Sequence, residues 1–101
     1  MKIPKSIKIA GHIVEVFDNY HFKERGDVDG DSNLTNNYIM IGYTIESEST
    51  KAQIFLHEIL HHIGLRYLGD ANFLKEEATN SLSEGLLQVL RDNKLDFGDK
   101  K

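Results

Sequence analysis

The sequence predicts a small α+β domain, because strand patterns occupy its first half and helical patterns its second half. Residues 7–17 alternate apolar and polar side chains around a central Ala-Gly pair, as the strands of a β-hairpin do. Residues 37–45 are rich in β-branched and aromatic side chains, and apolar residues recur at helical spacing from Lys51 onward. With 101 residues and 40% hydrophobic composition, one domain over residues 1–101 is the simplest organisation.

The hairpin is expected to turn at Ala10-Gly11, where glycine supplies the positive φ that a tight turn needs. Residues 20–37 are polar and rich in turn formers, which favours a solvated loop before the next strand. Their D-V-D-G-D run, residues 27–31, clusters oxygen ligands as calcium sites do. The run lacks the glycine position and the terminal glutamate of an EF-hand, so the loop interpretation is preferred.

A first helix is expected from Lys51 to about Ile63. Thr50 and Gln53 fit a capping box, in which the threonine accepts from a backbone N–H and the glutamine reaches back. Gly64 then follows as a plausible C-terminal stop. The helix would carry the segment I-F-L-H-E-I-L-H-H-I on a largely apolar background.

A second helix is expected from Asn72 or Phe73 to Asp92. Apolar residues at helical spacing define its inward face, namely Ala78, Leu82, Leu86, Val89 and Leu90. Gly85 lies inside this helix, where it costs roughly 1 kcal/mol against alanine, so a close approach of another backbone is expected there. The tail from Lys94 onward is charged and is expected to fray.

The first helix carries an H-E-x-x-H motif formed by His57, Glu58 and His61. Residues four apart lie one above the other on a helix, so the two imidazoles can bind one Zn²⁺. Glu58 lies about 100° further round, where a carboxylate can act as general base on a water bound to the metal. His62 falls off the ligand face and is expected at the surface or behind the ligands. The motif therefore predicts a zinc site with catalytic machinery.

A catalytic zinc needs a third protein ligand, and the motif itself does not supply one. Gly64 and Tyr67 partly match the metzincin pattern H-E-x-x-H-x-x-G-x-x-H, but tyrosine replaces its last histidine and no methionine follows, so Tyr67 is a lesser candidate for the third ligand. A glutamate of the second helix is the alternative. Glu76 flanks the inward face and is preferred, with Asn80 one turn on to orient it, and Glu77 is the second choice. Weaker candidates are Glu84 and Asp70.

Composition limits the remaining possibilities. The chain has no cysteine, which excludes thiolate ligands and disulfides and leaves histidine and carboxylate to hold any metal. The formal net charge is −4 without a basic stripe, so nucleic acid is not an expected partner. No segment reaches membrane-spanning length and the first residues lack a signal-peptide pattern, which predicts a cytoplasmic protein without membrane contact. A monomer or a weak dimer is expected.

The chain resembles a minimal gluzincin of the ImmA/IrrE-type metallopeptidase group, in particular the short versions common in phage and prophage genomes. The resemblance rests on the opening M-K-I-P-K-S-I-K-I-A-G-H, the strand N-Y-I-M-I, the helix H-E-I-L-H-H-I and the closing E-E-A-T-N-S-L-S-E-G-L-L helix. It implies a zinc-dependent endopeptidase with a zincin-like fold, in which His57 and His61 are ligands, Glu58 is the base and a downstream glutamate is the third ligand. The additional DNA-binding or sensor domain of larger members is not expected within these 101 residues, so the resemblance does not extend to a regulatory role such as repressor cleavage.

In a zincin-like fold, the strand at residues 37–45 would lie at the sheet edge beside the first helix. A peptide or protein substrate could add to that edge by backbone hydrogen bonds, and Tyr67 or His62 could then stabilise the oxyanion. For Tyr67, capping of the core is the preferred role. The alternative function is a zincin-like metal-binding interaction or inhibitor module without efficient peptidase activity, since 101 residues leave little room for a substrate cleft.

Overall fold

A four-stranded mixed sheet and two helices form an α+β fold in the computed structural model, which describes residues 2–22 and 29–95. This confirms the predicted fold class. The elements are β1 (Ser6–Ile9), β2 (His12–Tyr20), β3 (Gly30–Asn33), β4 (Tyr38–Gly42), α1 (Glu48–Ile63), a π-helical turn (Gly64–Leu68) and α2 (Glu76–Asp92). Helix α1 packs on the sheet, and α2 packs against α1.

The predicted N-terminal hairpin is confirmed. Strands β1 and β2 pair antiparallel from Ser6↔Glu15 to Ile9↔His12, and the two residues between them have positive φ, +50° at Ala10 and +80° at Gly11. Positive φ at both central residues defines the turn whose twist matches that of the strands. One face of the hairpin is therefore fixed toward the core, which contains Val14 and Val16.

Strand β4 lies inside the sheet, so its predicted edge position is wrong. The strand order is β1-β2-β4-β3, with β4 parallel to β2 and antiparallel to β3. The physical reason is burial on both faces: Ile39, Met40 and Ile41 are three consecutive buried residues. A continuous apolar run is typical of an interior strand, whereas an edge strand with one solvated face alternates.

The edge position belongs to β3, which the loop prediction for residues 20–37 missed. Its sequence G-D-S-N has low strand propensity, and pairing with β4 from Gly30↔Ile41 to Asn33↔Tyr38 holds it extended. Tertiary context therefore overrides local preference. The first part of the D-V-D-G-D run, residues 27–28, lies outside the described residues, as does the tail 96–101.

Helix α1 begins three residues earlier than predicted and ends at Ile63 with Gly64 as its C-cap, as predicted, although the chain stays helical beyond that point. Ser47 is the N-cap, and its hydroxyl accepts from the backbone N–H of Thr50 at 3.2 Å, so Thr50 lies within the helix. Gly64 itself is helical, with φ −56°, and the chain continues as a π-helical turn. Gly69 ends that turn with φ +71°, the left-handed conformation that glycine adopts without strain.

Gly64 is required by a close approach of the segment that follows the π-helical turn. A Cβ at this position would lie 2.5 Å from the Phe73 ring and 2.6 Å from the Asp70 carbonyl oxygen. Both contacts are shorter than van der Waals separation, so a larger residue must displace this segment. The glycine therefore allows residues 70–73 to pack directly on the end of α1.

Helix α2 begins at Glu76, later than predicted, and its inward face is also different. Its buried residues are Thr79, Ser83 and Leu87, whereas three of the expected core residues are exposed, namely Leu82, Leu86 and Val89. The hydroxyls of Thr79 and Ser83 donate to backbone carbonyls four residues back, at 3.1 and 2.8 Å, which satisfies them without a distant partner. Their small size suits close packing of α2 on α1, where Ala52 is buried.

Two smaller findings complete the fold. A Cβ at Gly85 would meet no atom within 4 Å, so the predicted close approach at that residue is wrong. None of the helices in the described part of the chain is long and apolar enough to cross a membrane.

Candidate metal centre

His57 and His61 present their imidazoles side by side on α1. Their Nε2 atoms are 3.1 Å apart, and the ring centroids are separated by 4.8 Å. Each side chain is 11% exposed, so the pair is largely shielded yet open on one side. The spacing of one helical turn therefore brings the two rings together as the motif predicts.

Glu76 reaches this pair from the first residue of α2. Its Oε2 lies 3.1 Å from Nε2 of His57, and its Oε1 lies 3.1 Å from Nε2 of His61. Each of the three residues offers a ligand atom within 4.8 Å of the others. Ligand atoms 2.0–2.1 Å from a tetrahedral zinc are separated by about 3.3 Å, so this donor set fits a zinc ion with a fourth position left for a small molecule.

The ring of His61 is oriented by a partner that no sequence pattern indicated. Its Nδ1 lies 2.8 Å from the carbonyl oxygen of Ala71, to which it donates. Since a neutral imidazole has one N–H, this hydrogen bond leaves Nε2 as the acceptor nitrogen that faces Glu76. The π-helical turn and the left-handed Gly69 bring the Ala71 carbonyl back to the ring.

Glu58 lies beside the metal group and not within it. The residue is 6% exposed, and its Oε2 is 4.0 Å from Nε2 of His57. Burial raises the pKa of Glu58, while a hydrogen bond from Ser32 and the charges of His57 and His61 act in the opposite direction. A buried carboxylate with a raised pKa is a stronger base than an exposed one.

Two cavities meet at the metal group. The larger has a volume of about 640 Å³ and the smaller about 260 Å³. Both are lined by Gly30, His57, Glu58 and Glu76, so a molecule in either one reaches the same side chains. The larger cavity continues along the two helices past polar side chains, namely Thr50, Gln53, Asn80 and Glu84.

The other candidate ligands lie elsewhere. Glu77, the second choice for the third ligand, is exposed and does not belong to the metal group. Glu84 and Asn80 line the larger cavity without joining the group. Asp70 accepts from the backbone N–H of Asn72 at 2.9 Å and so holds a turn.

Neither residue suggested for the oxyanion is placed to serve it. Tyr67 is 67% exposed and lines neither cavity, so its expected role as a cap on the core is wrong as well. His62 is fully buried, contrary to a surface position, and its Nε2 donates to the Tyr38 carbonyl at 3.2 Å. Burial lowers the pKa of His62, which therefore acts as a neutral residue of the core.

Ser32 and Gly30 were missed by the sequence analysis, since β3 was not predicted. Ser32 donates to Oε1 of Glu58 at 2.7 Å, and Gly30 lines both cavities.

Comparisons with protein-family models, with curated proteins and with solved structures found no significant match. The functional argument therefore depends on the residues and geometry of this chain.

Proposed function

We propose that this protein is a zinc-dependent metallopeptidase that hydrolyses peptide bonds. The observation that carries the proposal is the group of His57, His61 and Glu76, in which the two Nε2 atoms lie 3.1 Å apart and each lies 3.1 Å from one oxygen of Glu76, next to the buried carboxylate of Glu58. Two imidazoles and a carboxylate suit zinc among the divalent metals. The same proposal includes the protein in the ImmA/IrrE-type gluzincins, on the sequence resemblance alone, and keeps the cytoplasmic location expected from the sequence pattern.

The roles of the residues follow from their positions. When bound, zinc supplies a Lewis acid and lowers the pKa of a coordinated water to near 7. Glu58 accepts a proton from the attacking water through Oε2, the oxygen that faces His57. The same carboxylate then delivers the proton to the leaving amine, while the Ala71 carbonyl keeps His61 in the required tautomer.

Among the described residues, β3 is the outer strand of the sheet on the side of this centre. The predicted addition at residues 37–45 is wrong because β4 is paired on both sides. Strand β3 is the last strand of the sheet, and its residues Gly30 and Ser32 face Glu58. An extended peptide that adds to β3 would run past both cavities, so we place the substrate along this edge.

The proposal is tested by metal content and turnover in the same preparations. Elemental analysis of the wild type should give about one zinc per chain, and His61→Ala should lose it because one of three ligands is absent. Glu58→Gln should retain zinc but lose turnover of a peptide library by about a hundred- to ten-thousandfold, the usual contribution of a general base.

The outcomes separate the candidate functions. Turnover in Glu58→Gln at the wild-type rate contradicts the peptidase mechanism. Stoichiometric zinc without turnover in the wild type supports the metal-binding interaction module instead. A wild type that binds no zinc after incubation with the ion contradicts both.

A further inference from the structure

Two residues of β3 enclose the carboxylate of Glu58. Gly30 and Ser32 lie two positions apart on the strand, so both face the same side of the sheet, toward α1. Each is close to a different oxygen of Glu58: Ser32 contacts Oε1, and Gly30 adjoins Oε2. The edge strand therefore contacts the base of the proposed mechanism directly.

Ser32 holds one oxygen of the carboxylate. Its hydroxyl donates to Oε1 at 2.7 Å, and the same Oγ lies 3.5 Å from the backbone carbonyl of Glu58. A hydroxyl has one proton, so the short contact to Oε1 is the hydrogen bond that matters. With Oε1 occupied, Oε2 is the oxygen directed at the metal group, 4.0 Å from Nε2 of His57.

Gly30 leaves the space in which Oε2 can reach the centre. A Cβ at this position would collide with Cγ2 of Ile54 and would lie 3.4 Å from Oε2 of Glu58. A side chain would therefore displace Ile54, would come into contact with the oxygen that faces His57 and would narrow both cavities, which Gly30 lines. The pattern Gly-x-Ser on β3 provides a donor for one oxygen and open space for the other.

We propose that Ser32 is a positioning residue that fixes the orientation of the Glu58 carboxylate toward the metal group, with Gly30 providing the required space. The effect on turnover depends on the proposed peptidase function, whereas the positioning itself does not. A carboxylate free to rotate about its last bonds would spend part of its time in unproductive orientations. A charge-assisted hydrogen bond from a strand restricts that rotation.

The kinetic test compares Ser32→Ala with Ser32→Thr. Ser32→Ala should lower kcat about ten- to a hundredfold, the range for one hydrogen bond to a charged group, and change KM less than about threefold. Zinc content should remain stoichiometric because no ligand is altered. Ser32→Thr keeps the hydroxyl and should recover kcat to within about threefold of the wild type. The matched control is Ser83→Ala, which removes a fully buried serine hydroxyl on α2 whose partner is a backbone carbonyl.

A double-mutant cycle on stability tests the contact without any assay of turnover. In metal-free protein, Ser32→Ala should lower the folding equilibrium constant about tenfold in the wild-type background and less than about threefold in Glu58→Met, which has no carboxylate to hold. Equal losses in both backgrounds would overturn the proposal.

The two tests fail independently of each other. If the wild type shows no turnover but the substitutions at Ser32 and Glu58 are coupled in the stability cycle, the peptidase function is contradicted and the positioning of Glu58 by Ser32 is supported. An active wild type whose Ser32→Ala variant keeps its full kcat overturns the positioning role and leaves the peptidase function intact.

Discussion

The two helices contribute to the metal centre in opposite ways. Helix α1 packs between the sheet and α2, and it supplies His57, Glu58 and His61 from side chains that are at most 11% exposed. Helix α2 supplies Glu76 from its first residue, with a side chain that is 67% exposed. The same centre therefore combines a rigid part and a part that is open to water.

This difference assigns separate roles to the helices. Packing on two sides holds both imidazoles and the Ala71 carbonyl orients that of His61, so the pair needs little reordering to bind an ion. Glu76 lies at a helix N-terminus, where a carboxylate is favoured by the helix dipole, and most of its side chain is exposed to water. We expect α1 to determine where the ion binds and α2 to determine how tightly it is held.

The largest expected effect separates Glu76 from its neighbour. Glu76→Gln should weaken zinc binding by more than about a hundredfold, because the loss of a ligand exceeds the 10–100-fold effect of losing a partner behind one. The measurement is competition with a chelator of known affinity. Glu77→Gln is the matched control, since it removes the same charge from the same helical turn outside the metal group.

The outcome decides how α2 acts. Equal zinc affinity in Glu76→Gln and the wild type would contradict the role assigned to α2, because α1 alone would then hold the metal. A similar loss in both variants would assign the effect of α2 to its charge and not to coordination.

A smaller effect is expected from substitutions at two glycines, Gly64 directly after α1 and Gly85 inside α2. Gly64→Ala should lower the free energy of unfolding by about 1–3 kcal/mol, because its Cβ meets Phe73 and the Asp70 carbonyl. Gly85→Ala should raise it by about 0.5–1 kcal/mol, because the position is open and alanine favours the helix. Urea unfolding of the metal-free proteins measures both, and a stabilising Gly64→Ala would contradict the close packing after α1.

The smallest effect concerns the pH dependence of α1's packing. Burial lowers the pKa of His62, so the folded state favours its neutral form and the unfolded state binds a proton more readily. The stability that this residue contributes is complete above its ordinary pKa of 6.5 and is lost as pH falls through its folded pKa. Metal-free protein should therefore unfold more easily as pH falls below about 6.5.

A variant isolates the contribution of His62. Between pH 7.5 and 5, the free energy of unfolding of His62→Gln should change less with pH than that of the wild type. The difference in slope should correspond to at most about one proton, the one that His62 binds on unfolding. His12→Gln, at an exposed position, is the control and should keep the wild-type slope. An unchanged slope in His62→Gln would show that the histidine is not confined as the structure describes.

The parts of the centre that lie on one helix were predictable from spacing alone. The period of the α-helix places His57 and His61 together whatever the rest of the chain does, and the structure has both rings in contact. The structure brings Glu76, and not Glu77, to the two imidazoles, although α2 buries a different face from the one on which that choice was based. Its metal-binding role stays a prediction.

The remaining parts depend on tertiary packing that local patterns do not encode. Strand β3 has few residues that favour strands and is held by β4, so neither it nor Ser32 could be placed in advance. The inward face of α2 was misassigned because apolarity was taken as burial, whereas Thr79 and Ser83 are small and satisfy their own hydroxyls. The hydrogen bond of His61 to the Ala71 carbonyl could not be predicted from residue types, because every residue has a backbone carbonyl.

The strand order has a consequence for the folding pathway. The sheet consists of two antiparallel hairpins, β1–β2 and β3–β4, whose pairings are local, joined by the parallel pairing of β2 with β4. Local hairpins form in microseconds, whereas non-local pairings bear the entropy of closing a longer loop. Ser32 belongs to the second hairpin and Glu58 to α1, so we expect the surroundings of Glu58 to be completed only when α1 packs on that hairpin.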